Sequence, residues 1–264
     1  IPDIEYSHKL MIGLGSQHAY RSIIPPHTHS RAQLLYASEG AIRVYTHDHV
    51  WIVPPQCALW IPAQVEHSVV SLSEVQLSTV LIDKKAADSL GEQCFIVRIS
   101  KLLRELVLRF NQLDNFHIHE STQTDEIEQA LQLLIFNEIK QASTFPIVIP
   151  WPKDARLIQM CEALMETPDN PKDLNLWADH MGMSSRTLIR LFQKEMGLNY
   201  RAWVQQMHIA LALGKLSRGE SIAKIAVSEE RKEVLQPLAD YIQNKVNANE
   251  EIRLNFICTH NSRR

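Results

Sequence analysis

From residue 174 to 227 the apolar residues fall at helical spacing, broken by turn residues in a fixed order. That order constrains the fold more than any other feature of the chain. Asp173 is placed to cap a short helix over 174–180, with Leu176, Trp177, Ala178 and Met181 as its packing groups. Gly182 supplies a tight turn. Ser184 or Ser185 caps a second helix over 186–196, which Gly197 ends. Two short helices around one glycine turn make a helix-turn-helix. A long helix over 200–216 follows, then a short one over 221–227 that opens a second such motif. At Ser228 the pattern changes before that motif is complete.

On the second helix Leu188, Leu191 and Phe192 sit at core spacing, and Arg186, Ile189, Arg190, Gln193 and Lys194 lie elsewhere around the cylinder. Arg186 and Arg190 are four apart and share a face. Arginine in a major groove donates two hydrogen bonds to guanine, so these two are expected to touch bases or phosphates, with Ile189 as an apolar contact. Ser185 and Gln193 complete the expected DNA-facing set, and Lys194 and Arg201 read as phosphate contacts that position without specifying. The net charge of −3 does not announce nucleic acid, but its distribution favours this region. Lys/Arg against Asp/Glu number 11 to 16 over 1–150, 10 to 8 over 151–227 and 6 to 6 over 228–264. Only the segment with the helix-turn-helix is positive.

Residues 1–97 read differently. Short apolar runs at 33–36, 41–45, 50–53, 58–61, 68–72 and 76–82 are separated by turn residues such as Pro25-Pro26, Glu39-Gly40, His47-Asp48 and Pro54-Pro55. This spacing predicts an antiparallel sandwich or barrel. Within it lie Pro26-His-Thr-His-Ser-Arg-Ala-Gln33 and Trp60-Ile-Pro-Ala-Gln-Val-Glu-His67. His27 and His29, two apart, share a face if both lie on one strand, and His67 closes the site from a facing strand. Three imidazoles suit a divalent metal; they equally suit the wall of a small-molecule pocket.

Helices are expected over 98–113 and 124–142, with Asp125, Glu126 and Glu128 in the first turn of the second. Two amphipathic helices after a barrel either pack on it or join two copies of the chain as a homodimer, and their pattern fits both. Residues 143–152, with Pro146, Pro150 and Pro152, read as an extended linker to a helix over 153–167. No run approaches a membrane span. Cys57, Cys94, Cys161 and Cys258 are scattered without metal-type pairing, which suits a reducing cytoplasm.

The tail carries another signature. An amphipathic helix is expected over 229–246 and a strand over 252–257, running into Cys258-Thr-His-Asn-Ser-Arg-Arg264. In a Cys-x5-Arg loop, backbone N–H groups cradle an oxyanion, the thiol becomes a thiolate nucleophile and the arginine grips the anion. Cys258, Asn261 and Arg264 resemble the loop of low-molecular-weight tyrosine phosphatases and the arsenate reductases of the same fold. The chain stops at that arginine, so no turnover is expected unless it continues as a phosphatase or reductase fusion. The first residue is Ile1, and two families meet inside a motif at 227–228; a truncated or fused reading frame is expected.

Leu176–Gly197 and Ser221-Ile-Ala-Lys-Ile-Ala226 together resemble the DNA-binding domain of AraC/XylS-type regulators. The histidine-bearing segments resemble the cupins, in which His-x-His, a Glu and a later His bind a divalent metal. His27, His29 and His67 match, and Gln33 stands where a Glu is usual. The resemblance spans roughly residues 15–227. Together with the phosphatase-like tail, it implies an α+β chain: a cupin-like antiparallel β-barrel (1–97) sensing a small-molecule effector, a helical pair (98–142), a linker (143–152), an all-α helix-turn-helix domain with its second motif truncated (153–227), and an incomplete α/β tail (228–264). It also implies a non-enzymatic transcriptional regulator that binds double-stranded promoter DNA. The family's second motif continues with a Gly-Tyr turn and another reading helix, which Ser228-Glu-Glu-Arg-Lys-Glu replaces here. Weaker DNA binding is therefore expected.

Overall fold

The computed structural model describes residues 9–113, 122–145, 148–168 and 173–217. The expected elements at 221–227, 229–246 and 252–257, and Cys258, Asn261 and Arg264, lie outside them. The elements run β1 (Met11–His18), β2 (Ile23–His27), β3 (Ala32–Glu39), β4 (Ile42–Thr46), β5 (His49–Val53), β6 (Cys57–Ile61), β7 (His67–Ser71), β8 (Val75–Ile82), α1 (Lys84–Ala87) and β9 (Phe95–Arg98). Then come α2 (Lys101–Asn111), α3 (Thr122–Gln141), β10 (Thr144–Phe145), β11 (Ile149–Pro150), α4 (Ala155–Glu166), α5 (Leu174–His180), α6 (Ser185–Met196) and α7 (Tyr200–Ser217).

The strands form two antiparallel sheets. One has the order β1-β8-β3-β6-β9-β10, the other β11-β5-β4-β7-β2. Strand residues alternate between faces, so each sheet has an inner and an outer side. The outer side of the larger sheet presents Met11, Leu34, Tyr36, Trp60, Val80 and Ile82 to Leu103, Val107 and Phe110 of α2 and to Ile135 and Ile139 of α3. The helical pair thus packs on the sandwich through one face. The outer side of the smaller sheet carries α7, which packs against β5 and β11. The layers are therefore helix, sheet, sheet, helix.

Gly40 turns the chain between β3 and β4 at φ +82°. A Cβ there would lie 2.2 Å from the Glu74 carbonyl oxygen and 2.6 Å from Ser73 Oγ. Gly40→Ala is expected to cost more than the ~1–2 kcal/mol of left-handed backbone alone. A calorimetric Tm within a degree of the parent would refute this reading of the turn.

Several sequence expectations shift here. Residues 95–98, the last of them expected in a helix, form β9 beside β6. Ser100 caps α2 by accepting from Leu103 N–H, so the helix starts three residues later than the apolar stripe suggested. Strands β1 and β2 were absent from the apolar runs. β1 is a sheet edge diluted by Gly13, Gly15, Ser16 and Gln17, and β2 is an edge holding Pro25 and Pro26. The extended 143–152 segment pairs at both ends. Thr144 and Phe145 lie against Val97 and Ile96, and Ile149 and Pro150 against Val50 and His49.

Candidate functional site

The helix-turn-helix is built by local hydrogen bonds. Gly182 adopts φ +64°, and its N–H reaches the Asp179 carbonyl at 3.1 Å. Ser184 resolves the choice of cap: its Oγ accepts from Thr187 N–H at 3.2 Å. Ser185 donates its hydroxyl to Asn175 Oδ1 at 2.6 Å and so ties α6 to α5. Asp173 precedes α5 without capping it; its carboxylate accepts from the Asn175 amide instead. Leu176 is 59% exposed, so it is not one of the packing groups of α5; Trp177 and Ala178 are. Gly197 ends α6 in the left-handed region, its N–H on the Gln193 carbonyl.

Leu188, Phe192 and Met196 bury one side of α6. Arg186, Ile189, Arg190, Gln193 and Lys194 are all exposed on the other, at i, i+3, i+4, i+7 and i+8. Ile189 stands 45% exposed among these polar side chains. Arg201, in the first turn of α7, is exposed as well.

A second arrangement lies at the β2–β7 edge of the smaller sheet, where His27 pairs with His67. His29 sits just beyond β2, not on it, because the ladder shifts register after Ile24, where Pro25 and Pro26 lack N–H donors. The three rings nevertheless converge, with ligand atoms all within 4.8 Å of one another. Each Nδ1 is held by a backbone carbonyl: His27 by Pro25 at 2.8 Å, His29 by Arg31 at 2.6 Å and His67 by Val65 at 2.9 Å. Neutral imidazole carries one proton, so these contacts leave Nε2 of each ring as the lone-pair atom. Burial pushes the His67 imidazole down to about 4, which keeps it neutral. Its Nε2 is buried without a hydrogen-bond partner among the described residues.

Gln33 reaches the cluster from the other sheet. Its amide oxygen Oε1 lies 2.9 Å from His29 Nε2. With Nδ1 donating to the Arg31 carbonyl, a neutral His29 ring can only accept at Nε2, which requires the Gln33 amide to be turned so that its –NH2 faces the ring. The donor set fits a divalent metal: three oriented imidazoles and one orphaned buried nitrogen. His27, His29 and His67 would hold such an ion, which would supply a Lewis-acidic binding position.

Sequence reasoning missed the seam between the two parts of the molecule. Trp203 of α7, fully buried, donates its indole N–H to the Pro150 carbonyl at 2.8 Å. The Gln206 amide donates to the Val148 carbonyl. Trp151 N–H donates to the Asp48 carbonyl at 2.8 Å, and the Trp151 ring meets Tyr45 edge-on at 5.0 Å. Glu195 of α6 accepts from the backbone N–H groups of Lys153 and Asp154 at 2.9 and 3.3 Å, just ahead of α4. One apolar cluster runs from Val44 and Trp51 through Trp151 to Met160, Trp203 and Met207. The tryptophans at 151 and 203 were its only sequence signal.

A family model described as an AraC-like ligand binding domain matches residues 11–167, more than half of the chain. A helix-turn-helix domain model matches residues 177–228. Over 205 residues the chain is 33% identical to the HTH-type transcriptional regulator NimR of Escherichia coli (strain K12), spanning 76% of this chain and 72% of that protein. The chain belongs to the AraC family of transcriptional regulators. Among solved structures, ToxT from Vibrio cholerae aligns over 83% of this chain and 88% of its own, at 8% identity and a TM-score of 0.34. A mutant of the Bacillus subtilis oxalate decarboxylase OxdC aligns over 29% of this chain and 22% of its own, at 20% identity and a TM-score of 0.27.

This AraC-family member is thus a DNA-binding transcriptional regulator with a ligand-binding N-terminal domain, and not an enzyme. The phosphatase-like reading of Cys258, Asn261 and Arg264 finds no support in these matches and is withdrawn. No helix among the described residues is long and apolar enough to cross a membrane.

Proposed function

We propose that this AraC-family regulator reads promoter DNA in the cytoplasm with the exposed face of α6, under control of a ligand held near His27, His29, Gln33 and His67. The observation carrying the first part is the division of α6: Leu188, Phe192 and Met196 fix it to the fold while Arg186, Ile189, Arg190 and Gln193 stay free for a groove. Arg186 and Arg190 read bases, Ile189 packs on an apolar base edge, and Lys194 and Arg201 hold phosphates. Ser185 serves by bracing α6 against α5. The test is selection of genomic fragments on the immobilised full chain. Recovery of one shared sequence motif supports the reading; retention independent of sequence overturns it.

Control rests on one sheet. β2 and β7 carry His27 and His67 at one edge, and β11 forms the other edge, beside α7. A ligand that shifts β7 acts through β4 and β5 on β11, to which Trp203 is bonded, and on Val148 just before it, to which Gln206 is bonded. In this reading the cluster also takes a divalent metal. Dialysis against zinc should leave one ion per chain, lost in His67→Ala. Equal metal content in both proteins would remove the metal from the proposal. Self-association belongs to the same reading: Ile127, Leu133 and Leu134 of α3 are 46%, 71% and 45% exposed. Sedimentation of Leu133→Asp beside the parent tests it, and an unchanged mass distribution counts against that surface.

A further inference from the structure

We propose that the metal-loaded histidine cluster is a receptor for a small anionic effector, which binds the metal directly because no carboxylate among the described residues brings a negative charge to the site. The inference rests on the metal reading above and extends it to the class of ligand.

The charge balance follows from the residues. His27, His29 and His67 enter as neutral imidazoles, and their Nδ1 partners are the backbone carbonyls of Pro25, Arg31 and Val65. Where metal-bound histidines often lean on a carboxylate, these lean on uncharged groups. Gln33 is neutral and 8% exposed. Directly opposite strand residues share a face, so Gln33 sits in an inner row with Ile61, Leu81 and Ile12, all buried and apolar. Glu66, next to His67 in sequence, is exposed.

A dipositive ion here keeps its full charge in a site whose far wall is hydrocarbon, and such a charge is costly without a counter-charge. Three protein ligands leave a coordination position open. His27 and His29 are only partly buried, so the opening faces solvent, whereas His67 closes the inner side at 1% exposure. An anionic oxygen or nitrogen donor in that position supplies both the missing ligand and the missing charge. Gln33 then has a second task. Its amide, whose oxygen lies 2.9 Å from His29 Nε2, is released once that nitrogen takes the metal, and its –NH2 then donates to the bound anion.

The test loads the full chain with cobalt(II) and titrates it with azide. The parent should show cobalt ligand-field bands that azide shifts with saturation. Gln33→Glu places a carboxylate in the site, so it should hold cobalt more tightly and bind azide roughly tenfold or more weakly. Gln33→Ala adds no charge and should still respond to azide. Absence of cobalt uptake by the folded parent would sink the metal reading itself. Cobalt uptake with bands indifferent to excess azide would overturn the anion proposal alone. Equal azide affinity in Gln33→Glu and the parent would also overturn it.

Discussion

Trp203→Ala is expected to destabilise the folded chain by about 3–5 kcal/mol, the range for deleting a fully buried large aromatic side chain. The indole is 0% exposed and meets Phe192 edge-on at 6.1 Å. It shares an apolar cluster with Val50, Trp151, Leu157 and Met160, so the cavity would open where α4, α6, α7 and the smaller sheet come together. It also holds the Pro150 carbonyl at 2.8 Å. Trp203→Phe separates the two contributions. It retains most of the packing but leaves that partly buried carbonyl without its donor, at an expected cost of up to about 1–3 kcal/mol. Urea unfolding followed by circular dichroism measures both. Amide exchange adds the mechanical consequence: protection of Ile149 should fall in both variants, since its strand is held by β5 on one side and by α7 on the other. If Trp203→Ala lost less than ~1 kcal/mol, the seam would be a loose contact, and control through it would lose its physical basis.

The seam also marks where sequence reasoning ran out. Short apolar runs located β3 to β8 because their inward residues are apolar and most of their turns carry glycine, proline or aspartate. The edge strands β1 and β2 lacked that signal, since an edge tolerates proline and polar residues that an interior strand excludes. In the helix-turn-helix almost every local rule agrees, from the Ser184 cap to the left-handed Gly182 and Gly197, and the element bounds fell close to expectation. Leu176 departs from the pattern, since helical spacing cannot tell an apolar residue that is covered from one that is not. The histidine cluster was legible as three residue positions. Its backbone supports and the amide contact of Gln33 with His29 were not, because they depend on the bulge after Ile24 and on two sheets meeting. The seam had no periodic signature at all. Pro150 lies 53 residues from Trp203 and Val148 lies 58 from Gln206, and only the docking of α7 on the edge strand brings these partners together.

Arg186→Ala and Arg190→Ala are each expected to weaken binding to a selected DNA site by about 1–3 kcal/mol, and to relax preference at one base position apiece. Both side chains project from a helix fixed on its other side by Leu188, Phe192 and Met196, so truncation removes a contact without disturbing the fold. Lys194→Ala should behave differently. A phosphate contact carries no sequence information, so affinity for selected and random DNA should fall together, and the slope of log K against log salt should shrink by about 0.9. Fluorescence anisotropy at several salt concentrations, with a selected and a scrambled duplex, distinguishes the two behaviours. The informative quantity is the ratio of the two affinities. If Arg190→Ala lowers both equally while the ratio holds, Arg190 grips the backbone and base reading passes to Arg186, Ile189 and Gln193. If neither arginine changes the ratio, the exposed face of α6 is not what reads the site, and the division of that helix into buried and free sides has no bearing on specificity.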